Sequence, residues 1–150
     1  MKIIDLTHKM RSESAPVLRK LDFHSNISKN RVLATHVEAP AYLMREGKTL
    51  DQFEPDLFFR DAVLLDLTHM KPRRLIDDED LEAAEEEAGV AIREGEVVII
   101  RTGWDQHARS KRYWSDHPAL SENGAEYLEF KRVCGVGIDA ARRAAHRSRW

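Results

Sequence analysis

Apolar residues along this chain come in runs of four or five or alternate with polar ones, a pattern that predicts short strands interleaved with two helices. Residues 1–6 read as an opening strand. Residues 18–27 alternate around Leu21 and Phe23 like a half-buried strand, which turns His24 to the opposite face. Val32, Leu33 and Val37 favour a further strand, ended by Pro40, which has no N–H to give a ladder. Gly47 and Thr49 then mark a turn, and Phe53, Leu57 and Phe58 have the spacing of a helical core face. Residues 61–67 and 96–101 hold continuous apolar runs, the pattern of strands buried on both faces. Between them residues 77–88 form the clearest helix. Asp77 can cap it, acids crowd its first turn, and Gly89 can end it in a left-handed conformation. Leu81, Ala84 and Ala88 give it a narrow apolar stripe, with Glu85-Glu86-Glu87 as a solvated face. Residues 111–116 read as an irregular loop. Ser121 caps a second helix running to about Arg132, with Ala125, Leu128 and Val133 inward, and residues 135–139 return as a strand.

Alternating strands and helices make this an α/β chain, with helices packed on a sheet. A length of 150 residues and 42% hydrophobic content suit one domain with an adequate core. Charged residues reach 33%, but they are mixed and the net charge is −2, so nothing calls for nucleic acid or an anionic membrane. The apolar runs are far too short for a membrane span, and no apolar leader follows Met1-Lys2. The single Cys134 rules out an internal disulfide and fits a reducing, cytoplasmic setting. Its apolar surroundings predict a buried, inert thiol rather than a nucleophile. No Gly-x-Ser-x-Gly elbow occurs, which argues against a serine hydrolase.

The candidate chemistry centres on residues 31–51, RVLATHVEAPAYLMREGKTLD. On a strand, residues i and i+2 share a face, so His36 and Glu38 would point into one space beside the loop that Pro40 opens. A nitrogen and an oxygen donor so placed suit a divalent metal such as zinc or manganese; a solvated surface pair is the alternative. His69, after the apolar run ending at Leu67, is a candidate substrate contact or an ordinary loop histidine. Trp104, in the Thr102-Gly103-Trp104-Asp105 segment after VVIIR, can wall a pocket for an aromatic substrate or simply pack.

The motif resembles that of the cyclase family of metal-dependent hydrolases, which includes bacterial kynurenine formamidases and isatin hydrolases. The family hallmark is His-x-Gly-Thr-His-x-Asp-x-Pro-x-His. Thr35, His36 and Pro40 match it; Ala34 replaces the glycine, Glu38 the aspartate, Val32 the first histidine and Tyr42 the last. Ordered blocks extend the resemblance over residues 1–139: IIDLTH at 3–8, EGKTLD at 46–51, AVLLDL at 62–67, VVIIRTGW at 97–104, HPALS at 117–121 and GVGID at 135–139.

The resemblance implies a swivelling β/β/α-type domain over 1–139 with a mixed sheet, a homodimer or higher oligomer, and hydrolysis of a small amide or lactam in the manner of an arylformamidase of tryptophan catabolism. It implies that His36 and Glu38 are metal ligands. Tyr42 stands where the family places a histidine thought to act in catalysis; a phenol, with an ordinary pKa of about 10, can donate a hydrogen bond but is a poor base. The substitutions at 32 and 42 also fit a catalytically impaired binding or structural subunit that keeps the fold. After Asp139 the family continues with a segment bearing a further His and Glu, whereas residues 140–150 form an arginine-rich, alanine-rich tail, expected to be a truncated or divergent ending.

Overall fold

The computed structural model describes residues 35–141. The strands expected at 1–6 and 18–27, and the tail from 142 onward, lie outside the described residues. The chain divides into two compact units, residues 1–52 and 53–150.

In the first unit, residues 36–39 carry no strand, contrary to the expectation drawn from the strand-favouring Val32, Leu33 and Val37. Val37 is 61% exposed, so the apolar face that would reward a strand is not buried here. Pro40–Tyr42 instead forms a turn of 3-10 helix, with Ala39 extended before it and proline pre-set for the first helical position. The N–H groups of Leu43 and Met44 both donate to the Pro40 carbonyl, and Ala41 N–H donates to Lys48 O at 3.0 Å, closing the segment on itself. Leu50–Gln52 makes a second short 3-10 turn.

The second unit contains, in chain order, β1 (Ala62–Asp66), β2 (Leu75–Ile76), α1 (Asp78–Ala88), β3 (Val97–Arg101), α2 (Arg112–Ser115), β4 (Ala119–Leu120), α3 (Glu122–Phe130) and β5 (Gly135–Ile138). A 3-10 turn, Pro55–Phe58, precedes them. Strands β1, β3 and β5 form a parallel sheet in that order, with Ala62 opposite Val97 and Val97 opposite Gly135. β2 and β4 pair in parallel as a two-stranded sheet. The described chain is thus mixed α/β, with parallel sheets joined through helices, as βαβ connections require.

One face of the larger sheet carries the core. Val63, Leu65, Val98 and Ile100 are buried together with Leu81 and Ala84 of α1, Leu128 of α3, and Ile76, Ile92 and Leu120. Fully burying each such valine, leucine or isoleucine side chain contributes about 1.5–3 kcal/mol. The other face is open: β1 alternates buried and exposed positions, and Leu64 is 53% exposed, so β1 is not buried on both sides. The continuous apolar run overstated its burial because alternate residues of any strand point to opposite faces.

Both long helices begin as their sequences predict. Asp77 holds the N-cap of α1, where its N–H donates to Asp80 Oδ2 at 2.9 Å, and Gly89 ends the helix at φ +64°. Ser121 Oγ accepts from Gly124 N–H at 3.0 Å at the start of α3. Several expectations fail in detail. Ala88 is exposed, whereas Glu85 is buried at 6% exposure, so the three glutamates are not one solvated face. Phe58 is 47% exposed, and Cys134 is half-buried rather than buried. Residues 112–115 form a helical turn within the expected loop. Among the described residues no helix is long and apolar enough to cross a membrane.

Candidate metal centre

His36 Nε2 lies 3.1 Å from Glu38 Oε1, with the histidine side chain 39% exposed and the glutamate 17%. The two donors meet although residues 36–39 carry no strand. Their separation suits joint ligation: two donors on a tetrahedral ion at bonds of about 2.0–2.2 Å stand about 3.3–3.5 Å apart. The pair therefore fits a shared cation after a shift of a few tenths of an ångström. It supplies two donors, and among the described residues no group of three or more His, Cys, Asp or Glu comes together.

The loop that follows is held close to this pair. A Cβ on Gly47 would stand 2.6 Å from the Pro40 carbonyl carbon and 2.7 Å from Ala41 N, inside the contact distance of backbone atoms. Only glycine lets the returning chain pass so near the residues directly after Glu38. Tyr42 sits at the end of the Pro40–Tyr42 turn and is 49% exposed, so its ring faces solvent in part.

The second unit presents its own polar edge, where β1, β3 and β5 all end, the side of a parallel sheet on which ligand sites commonly form. Asp139, just past β5, accepts from Thr102 N–H at 2.9 Å, from the Thr102 hydroxyl, and from Gly103 N–H at 2.6 Å. Asp66, at the end of β1, accepts from Thr68 N–H at 3.0 Å, Thr68 Oγ1 at 2.7 Å and Arg101 Nη1 at 3.0 Å. The Thr68 hydroxyl and N–H bonds, followed by the Arg101 charge, hold the Asp66 carboxyl below its ordinary pKa. Burial raises the Tyr113 phenol, and the negative charges of Asp139 and Asp105 raise it further.

His69 lies exposed in the turn after β1. Trp104 is 5% exposed, its indole N–H donates to Tyr113 O at 3.3 Å, and its ring meets His107 edge-on with centroids 4.5 Å apart. A ring so placed supports the turn around it but offers little surface of its own. Asp139, Thr102 and Asp66 did not stand out in the sequence. The available signal was that each lies at or just past the end of an apolar run, where polar side chains gather.

Comparison with known proteins gives these features a context. One solved structure, described as a potential metal-dependent hydrolase with cyclase activity, is 25% identical with a TM-score of 0.55; the match covers 73% of this chain and 50% of that one. Another, described as a novel cyclase, is 19% identical with a TM-score of 0.47, covering 51% of this chain and 29% of that one. The chain thus spans half or less of the length of these two structures. No curated protein matches it. The family model described as "Putative cyclase" matches residues 4–143, nearly the whole chain, and the protein therefore belongs to the cyclase family.

Proposed function

We propose that this chain serves the metal-dependent hydrolysis of small amides or lactams, arylformamidase-like, with His36 and Glu38 as ligands of a divalent ion, zinc or manganese. The observation that carries this reading is the 3.1 Å approach of His36 Nε2 to Glu38 Oε1, two residues before Pro40. The family membership and a structural neighbour described as a potential metal-dependent hydrolase support it. When bound, such an ion supplies polarisation of a carbonyl and a water whose pKa approaches neutrality. The chain's own residues do the rest. Glu38, the less exposed of the pair, contributes a carboxylate oxygen, and His36 contributes an imidazole nitrogen. The exposed Tyr42 donates a hydrogen bond from its hydroxyl to a substrate oxygen.

The test is elemental analysis of the purified chain after loading with zinc or manganese, together with turnover of N-formylkynurenine and related cyclic amides. His36→Ala should lose the bound metal while circular dichroism stays unchanged, and Glu38→Asp should retain it, since both carboxylates are suitable oxygen donors. Metal content unaffected by His36→Ala would sink the assignment. Val32 and Tyr42, at two positions the family hallmark gives to histidine, favour a second reading, a binding subunit of impaired catalysis. Stoichiometric metal without turnover of any amide would select it.

A further inference from the structure

The dipeptide Asn123-Gly124 lies in the first turn of α3, although Asn-Gly is a pair that favours tight turns. Packing accounts for the glycine. A Cβ at position 124 would collide with Ile76 O and stand 3.0 Å from Leu120 Cδ1, so only glycine lets the start of the helix rest on the β2–β4 pair. The Ile76 carbonyl is itself engaged there, accepting the Ser121 N–H at 3.0 Å. Asn123, by contrast, is exposed.

Asparagine is a chemically labile residue, and a following glycine leaves its side chain open to attack by the next backbone nitrogen. When hydroxide takes the glycine N–H proton, that nitrogen attacks the asparagine Cγ. The new N–Cγ bond closes a succinimide ring, the Cγ–Nδ2 bond breaks, and ammonia leaves. Water then opens the ring at either carbonyl, giving aspartate or an isoaspartyl linkage in which the backbone runs through Cγ. The folded chain opposes the first step. Gly124 N–H is buried and donates to Ser121 Oγ at 3.0 Å, satisfying one of the donors that a helix start leaves open. The helical backbone of Glu122–Phe130 also keeps Gly124 N from swinging onto Cγ.

We propose that Asn123 is a site of spontaneous deamidation whose rate is set by opening of the Ser121 cap, and that the isoaspartyl product loosens α3 from the β2–β4 pair. Reaction requires the first turn of α3 to open, a local event that needs no global unfolding. The isoaspartyl linkage then adds a methylene to the backbone between Ser121 and Gly124. Gly124 meets the cap oxygen on one side and the Ile76 carbonyl on the other, so a longer backbone displaces it from one or both. The aspartyl product keeps the helical backbone, and its negative charge near the helix N-terminus is favourable. The two products of one ring therefore differ in effect: the aspartyl chain is tolerated and the isoaspartyl chain is not.

Peptide mapping of the full chain held at mildly alkaline pH reads the conversion directly, and a protease digest of the same chain gives the rate without the cap. Position 123 should convert at least about tenfold more slowly in the folded chain than in the digest. Ser121→Ala should convert about fivefold faster than wild type, and Ser121→Thr, which keeps a capping oxygen, at close to the wild-type rate. Circular dichroism checks that both variants are folded, and the comparison of wild type with digest stands even if Ser121→Ala does not fold. Aged chain enriched in the isoaspartyl form should unfold at a lower urea midpoint, whereas Asn123→Asp, which carries the aspartyl product alone, should keep the wild-type midpoint. Equal rates in folded chain and digest overturn the proposal. So does a folded Ser121→Ala that converts no faster than Ser121→Thr, or an isoaspartyl chain as stable as Asn123→Asp.

Discussion

Removing the Glu85 carboxylate tests the packing of α1 against α3 most directly. The side chain is 8% exposed and collects three donors: Ile92 N–H at 2.6 Å, the Tyr127 hydroxyl, and Lys131 Nζ at 3.3 Å. Burial by itself pushes this carboxyl up. The bonds from Tyr127, Ile92 and Lys131 outweigh it and leave the pKa below the ordinary 4.5. Glu85→Ala strands the Ile92 N–H and the Tyr127 hydroxyl. Hydrogen bonds to a charged group contribute about 1.5–3 kcal/mol each, so two lost bonds, partly offset by relief of the carboxylate's own desolvation, cost about 3 kcal/mol. For a unit of this size that lowers Tm by about 15 °C. Urea unfolding followed through the fluorescence of the buried Trp104 reads it as a lower midpoint at unchanged slope.

The pH dependence supplies the sign. A depressed carboxyl contributes stability that is present above its unfolded pKa and lost as pH falls through its folded one. The gap between wild type and Glu85→Ala should therefore narrow below about pH 4.5. Tyr127 acts at the other end. Burial and the adjacent Glu85 raise its phenol above 10.0, so its contribution persists below that value and is lost as pH rises through the folded pKa. A deficit under about 1 kcal/mol at neutral pH, or one that does not change in acid, would refute the account.

Two further outcomes follow from close contacts. Gly47→Ala forces a Cβ to within 2.6 Å of the Pro40 backbone, so it should weaken zinc binding at least tenfold in a titration while Trp104-monitored unfolding is unchanged; equal zinc affinity would show that the loop does not position the His36–Glu38 pair. Asp139→Ala removes the acceptor of the Thr102 and Gly103 N–H groups and the Thr102 hydroxyl, and should lower stability in urea by about 2–3 kcal/mol; an unchanged midpoint would mean that the turn after β3 holds itself.

Some of this protein was written in short stretches of sequence and some was not. The ends of α1 and α3 were legible because capping is local: Asp77, Gly89 and Ser121 act on groups within four residues of themselves. The His36–Glu38 pair was legible for the same reason, since its two residues stand only two positions apart, even though the expected strand is absent. Family membership was readable from ordered blocks, each a local word. Burial was not readable. The sequence gives no sign that Glu85 lies inside and Ala88 outside, because the partner that draws Glu85 inward, Tyr127, is 42 residues away. Asp139 finds Thr102 across 37 residues, and β2 meets β4 through a pairing that no short pattern announces. Periodicity fixes which residues share a face. Which face is covered, and which charges end up beside one another, depends on contacts between distant segments, and those exist only once the chain has folded.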